Sequence, residues 1–258
     1  MTAADEAPPV TAPWWRHHFD ETYLRLHGPR FDEAENRAEV AAVLDLLGLP
    51  LGSRVLDLPC GWGRHTRLFG EAGQDAFGAD LSPVFLARAR QGSRAHGLTP
   101  RYAAADMRAL PFRDASFDAV VNLDSSLGLF LADAEDVRAL AEARRVLRPG
   151  GRFLLETMHR DDVVANFASR DAWTLPDGTE VRVRRRFDPV QGISHESLRW
   201  QHGRQKGRTR SAFRVRTATE LDGLLRAAGL RPLLWRGGWD GSPFRRRSER
   251  LIVVAGLD

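Results

Sequence analysis

Polar groups recur at one kind of place in this chain, the end of an apolar run just before a turn. Asp57 closes the run in "VLDLPCGWGRH" (55–65), Asp80 closes "AFGAD" (76–80), and Asp106 stands beside Met107 in "AAADM" (103–107). Asn122, Leu123 and Asp124 end "FDAVVNLD" (117–124). Each aspartate alone is more readily a loop or helix-capping residue than a ligand group. At the ends of four successive strands, however, such groups would surround the crevice where open α/β sheets hold ligands.

The turn after Asp57 carries Gly61 and Gly63, with Cys60 before them and Arg64 after. A dinucleotide loop has a third glycine, which lets a helix N-terminus face a diphosphate. Here Thr66 stands in that place. A carboxylate at the strand tip repels phosphate and attracts a cation, so the favoured ligand is positively charged near the turn. S-adenosylmethionine meets these demands: it has a sulfonium, an ammonium and a carboxylate, and no phosphate. Its carboxylate would use the N–H groups of residues 60–64, aided by Arg64. Pro59 has a fixed negative φ and no N–H, so it can be neither left-handed nor a donor. Asp80, with Leu81 after it, can accept both ribose hydroxyls. Asp106 can accept from the adenine amino group, with Met107 against the ring, and Leu123 and Asp124 close the same crevice. Cys60 reads as a small buried residue, with a nucleophilic role as the alternative.

Alternating elements must position these groups. The pattern gives helices over 14–26 and 34–49, then strand 54–59, helix 63–73, strand 75–81, helix 83–97 and strand 101–107. Strand 117–123 follows, then helix 133–147, stopped by Pro149, Gly150 and Gly151, and strand 152–157. Apolar strands linked through helices mean a doubly wound, mostly parallel sheet covered on both faces. After about residue 160 the period changes to alternation over 173–189, 192–203 and 208–217, an inserted antiparallel sheet. Helix 217–230, with Thr217 or Thr219 as N-cap, and strands 231–239 and 249–257 complete an expected seven-stranded core. The expected organisation is a disordered tail (1–13), an N-terminal helical lid (14–50), an α/β core (51–160), the inserted sheet (161–216) and a C-terminal completion (217–258).

At this level the sequence resembles the class I S-adenosylmethionine-dependent methyltransferases, strongly over about 50–160. "VLDLPCGWGRH" resembles the family's first motif, with Pro59 where a glycine is usual. "FDAVVNLDSSLGLF" and "ARRVLRPGGRFLLE" resemble its fourth- and fifth-strand motifs. The resemblance implies a Rossmann-like fold, S-adenosylmethionine as cofactor and S-adenosylhomocysteine as product. It also implies that Asp57, Gly61 and Gly63 hold the methionine end, Asp80 the ribose, and Asp106 with Met107 the adenine.

Methyl transfer from a sulfonium is a single displacement, so alignment and exclusion of water do most of the work. Where the acceptor must lose a proton, His159, just past the fifth strand, is the candidate base; a surface histidine is the other reading. Trp14, Trp15, His18, Phe19 and Tyr23 form either a lid or a packing face, with Tyr23 and His18 as candidate pocket lining. The inserted sheet and helical lid resemble the small-molecule branch of the family, including amino-sugar N-methyltransferases, in which such a sheet caps the acceptor pocket or forms a dimer interface. The rival is an RNA methyltransferase: residues 182–216 hold eleven Arg or Lys against two acids, with Trp200 and Phe213 interleaved. Against it, alternation turns many of these arginines to solvent, and the fourth strand ends in "NLDSS" instead of an Asn-Pro-Pro-Tyr-type tetrapeptide. A cofactor-binding protein without transfer activity is a third class.

Composition sets the outer limits. A chain of 258 residues, 43% hydrophobic, can bury one large core with a smaller appendage. A single cysteine excludes an intrachain disulfide and argues against an all-cysteine metal site; no metal is expected. No apolar run reaches membrane-spanning length, and "MTAADEAPPVTAPWW" lacks the cationic start of a secretory signal, which gives a cytoplasmic expectation. The formal charge is +4 and Lys206 is the only lysine.

Overall fold

The computed structural model describes residue 10 and residues 13–257; the expected tail over 1–13 lies almost wholly outside them. Seven strands form the central sheet: β1 (Arg54–Asp57), β2 (Asp75–Asp80), β3 (Arg101–Ala104), β4 (Phe117–Asn122), β5 (Leu147–Thr157), β10 (Leu230–Arg236) and β11 (Leu251–Leu257). Their order is β10-β11-β5-β4-β1-β2-β3, parallel from β5 to β3, with β11 antiparallel to both neighbours. β1 lies between β4 and β2, so the order reverses there, and a crevice opens beyond the strand ends.

Helices cover both faces: α3 (Glu33–Leu47), α4 (Arg64–Glu71), α5 (Pro83–Ala95), α6 (Asp133–Val146) and α8 (Ala218–Ala227). Phe77, Phe117, Phe153, Leu221 and Leu225 belong to one core cluster, and Val40, Val43, Val55, Phe69 and Val121 to another. This is the consequence of strands apolar on both sides. Helix starts follow capping chemistry. The Asp32 carboxylate accepts from the N–H groups of Ala34 (2.7 Å) and Glu35 (3.0 Å), and Thr217 forms a capping box with Glu220.

Three elements depart from expectation. The helix read over 14–26 is two, α1 (Trp15–His18) and α2 (Glu21–His27), because Asp20 turns extended and its carboxylate caps the N–H of Tyr23 at 2.9 Å. The stop at Pro149 is not where α6 ends. Leu147 is already extended, and "RPGG" continues as the start of β5, which is bulged against β4. A short helix, α7 (Arg160–Ala165), precedes the insertion.

The insertion is a separate four-stranded antiparallel sheet: β6 (Arg170–Thr174), β7 (Glu180–Asp188), β8 (Ile193–His202) and β9 (Gln205–Arg214). Val181, Val183 and Leu198 on its inner face pack with Leu26 of α2 and Leu175. No helix among the described residues is long and apolar enough to cross a membrane.

Candidate active site

β1 is buried from Val55 to Asp57, and the chain then turns through Leu58–Pro59, a cis peptide bond. The turn is tied to β2 by its own backbone. Cys60 N–H donates to the Ala79 carbonyl (2.9 Å), Gly61 N–H to Asp80 Oδ2 (2.9 Å), and Gly63 N–H to the Cys60 carbonyl (2.9 Å). Gly61 and Gly63 have φ of +54° and +78°, which L side chains rarely adopt. A Cβ on Gly63 would also lie 2.7 Å from both Ala89 Cβ and the Tyr102 hydroxyl. The expectation that residues 60–64 offer their N–H groups to a ligand therefore narrows. Three are engaged inside the fold, and among the described residues those of Trp62 and Arg64 have no such partner.

The first two acids have different environments. Asp57 is 2% exposed and accepts from Thr66 Oγ1 at 2.6 Å; burial raises its carboxyl above the ordinary range. It lies behind the turn, not at the cavity wall, which corrects the picture of a carboxylate exposed to the ligand. Asp80 does reach the wall. Burial raises it to about 6, against the N–H groups of Ser82 (2.8 Å) and Gly61 that favour its ionised form, while nearby Asp57 raises it further.

One cavity runs along these strand ends. Cys60, Gly61, Arg64, Asp80 and Leu81 line one stretch, and Asp106, Met107, Leu123 and Asp124 another; Gly63 sits behind, packed on α5. Asp106 arrives with both oxygens already accepting from Arg108, at 2.9 Å and 2.6 Å, and that guanidinium holds its carboxyl below the usual range. Asp124 has φ +61°, its N–H donates to Glu156 Oε2 at 2.7 Å, and its carboxylate pairs with Arg64 at 3.1 Å.

The catalytic candidates separate. Tyr23 lines the cavity; burial, then Asp124, raise its phenol well above the ordinary range, so it stays protonated. His18 does not line it. Its ring lies edge-on to Trp14, Phe19 and Tyr23, and burial lowers it to about 4. His159 is 1% exposed and away from the cavity, with Nε2 on the Ser248 carbonyl and its ring against Phe244. Its place after β5 suggested a base; the closing loop before β11 buries it instead. Trp62 and Phe85 line the cavity without having been singled out, and Phe213, read from sequence as interleaved in a basic surface, lines it too. Trp62 alone gave a signal, a large aromatic between two turn glycines.

Residues 55–151 match a family model described as a methyltransferase domain. Over this segment the chain carries a methyltransferase domain, and its fold is that of solved S-adenosylmethionine-dependent methyltransferases. Demethylmenaquinone methyltransferase of Thermus thermophilus is 42% identical over 104 residues, covering 40% of this chain and 46% of that protein. The chain spans about half the length, or less, of the curated relatives it matches. The CcbJ methyltransferase of Streptomyces caelestis superposes with a TM-score of 0.82 at 18% identity, over 94% of this chain and 98% of that one. CalS10, an amino pentose methyltransferase of Micromonospora echinaspora solved with S-adenosylmethionine bound, gives 0.70 at 24% identity, over 92% and 97%.

Proposed function

We propose that this protein transfers a methyl group from S-adenosylmethionine to a small-molecule acceptor, with an amine nitrogen as the favoured nucleophile. The observation that carries the reading is the position of Asp80: a buried carboxylate at the end of β2, at the wall of a cavity that continues past the glycine turn to the aromatic N-terminal helices. The residues fit the cofactor. Asp80 can accept the ribose hydroxyls, Met107 and Leu81 flank an apolar slot for the base, and the N–H groups of Trp62 and Arg64 start α4 beside the place for a carboxylate. When bound, S-adenosylmethionine supplies an activated methyl on a positively charged sulfur.

The chain's own residues then orient and shield. Phe19, Tyr23 and Phe85 cover the acceptor end and exclude water. Tyr23, held protonated, donates a hydrogen bond and cannot serve as a base. The Asp124 carboxylate is already engaged by Arg64, at 3.1 Å. That arrangement favours an amine, which attacks with its own lone pair. CalS10 and the sugar N-methyltransferase KedS8, which share this architecture, are consistent with such an acceptor.

Two measurements test the reading. S-adenosylhomocysteine should raise the melting temperature and NAD should not. Labelled methyl should then pass to members of an amine panel in preference to phenols and to RNA. Stabilisation by NAD alone would overturn the cofactor assignment, and transfer confined to RNA would overturn the acceptor class.

A further inference from the structure

Over residues 180–184, 197–201 and 206–210 the inserted sheet sorts its side chains by face, whereas toward its other end Ala212 and Ile193, in register with His195 and Asp188, are buried on the arginine side. Val181, Val183, Trp200 and Leu198 turn inward, whereas Arg182, Arg184, Arg186, Arg199 and Arg208 are exposed on the other side. The register stacks these cations directly against each other. Arg182 stands opposite Arg199, and Arg199 opposite Arg208; in the next row Arg170 faces Arg184, with Ser197 and Arg210 beyond. Opposed residues in such ladders are about 5 Å apart at Cα, and successive rows roughly 6.8 Å apart. Like charges placed opposite one another destabilise a sheet. Arg208 donates to Ser197 Oγ at 3.0 Å, and beyond partial desolvation the neighbouring Arg210 and Arg199 lower its guanidinium. Among the described residues of these strands two acids share the face: Glu180, 3.2 Å from Arg182, and Asp188 at the far end of β7.

We infer that this outward face is a docking surface for the phosphate backbone of a nucleic-acid duplex, separate from the methyl-transfer cavity. An array of cations at fixed spacing complements a regular polyanion, and phosphate contacts by themselves fix position without reading sequence. The other occupants lack what they need. Single strands bind through stacking platforms, but Trp173, Trp200 and Phe213 all turn to the inner side. A protein interface is depleted of charge at its centre and anchored by apolar or aromatic side chains. None of the large exposed apolar residues among the described residues lies on these four strands. A membrane surface would find one exposed apolar side chain to take in, Val190 at the β7–β8 turn, and none on the arginine rows themselves. Two copies of the chain face to face would set cations on cations.

The test is fluorescence anisotropy with a labelled mixed-sequence 20-base-pair duplex, titrated from low to physiological salt. Binding through four to six phosphates predicts a log–log salt slope of roughly −4 to −5. The triple variant Arg182→Gln, Arg199→Gln, Arg208→Gln should lower the slope magnitude by roughly 2 to 3 and the affinity at least tenfold, while melting no earlier than the parent, since like-charge rows are relieved. Removing the same charge from the exposed loop, by Arg245→Gln, Arg246→Gln, Arg247→Gln, should leave duplex binding within about twofold. No duplex binding, an equal effect of the two triple variants, or tighter binding to polyglutamate or to phosphatidylserine vesicles would each overturn the inference.

Discussion

The N–H of Gly61 donates to Oδ2 of Asp80 at 2.9 Å, so the turn after β1 and the acid ending β2 are fixed on one another. One side chain thus both shapes the turn and presents its remaining lone pairs to the cavity. Asp80→Ala removes both roles. S-adenosylhomocysteine, which stabilises the parent on heating, should then give no measurable shift at the same concentration. A full shift in the variant would remove Asp80 from the ribose site.

The same carboxylate makes binding pH-dependent. Burial places Asp80 at about 6 in the folded chain, above the roughly 3.9 of an unfolded aspartate. Between those values the native state binds more protons, so its contribution to stability falls as pH rises through about 4 to 6. A ligand whose hydroxyls donate to the ionised form has the opposite trend. S-adenosylhomocysteine affinity should climb up to tenfold per unit below pH 6 and level off above it. Calorimetry from pH 5 to 8 reads this slope, and Asp80→Asn should flatten it.

The sheet was legible because its strands are apolar on both faces and each ends on a polar residue before a turn; Asp57, Asp80 and Asn122 all close strands. What could not be read were the partners each carboxylate takes, near or far along the chain. Arg108 claims the Asp106 carboxylate from two residues away, and Glu156 holds the Asp124 loop from 32 positions along the chain. Asp57 and Asp80 look alike in sequence, yet one is enclosed by Thr66 while the other borders the cavity. The break at Asp20 was missed because helical spacing of aromatics continues across it, and only the Asp20 cap on Tyr23 marks it.

The two turn glycines should respond unequally to alanine. At Gly61 the new Cβ meets only Phe85, at 3.9 Å, so the cost is that of the left-handed backbone, about 1–2 kcal/mol. At Gly63 the same strain is joined by contacts at 2.7 Å to Ala89 and Tyr102, for a loss of about 2–4 kcal/mol. Urea midpoints at unchanged m-value measure both. Equal losses would mean that the close approach of this turn to α5 and β3 is wrong.

Tyr23 and His159 separate a residue that touches the acceptor from one that holds the scaffold. Tyr23→Phe keeps the ring among Phe19, Phe85 and Trp62 and removes only the hydroxyl. If that hydroxyl orients the acceptor, kcat/KM should fall roughly tenfold, the worth of one hydrogen bond, while S-adenosylhomocysteine affinity holds. His159→Gln should do the reverse. It disturbs a buried contact with the Ser248 carbonyl and the Phe244 ring, so stability should drop by about 1–3 kcal/mol. Turnover by the folded fraction should stay within about twofold, because a group outside the cavity cannot take the acceptor's proton. A folded His159→Gln variant with lost turnover and a flattened pH–rate profile would restore the histidine as the base and require the loop before β11 to open during the reaction.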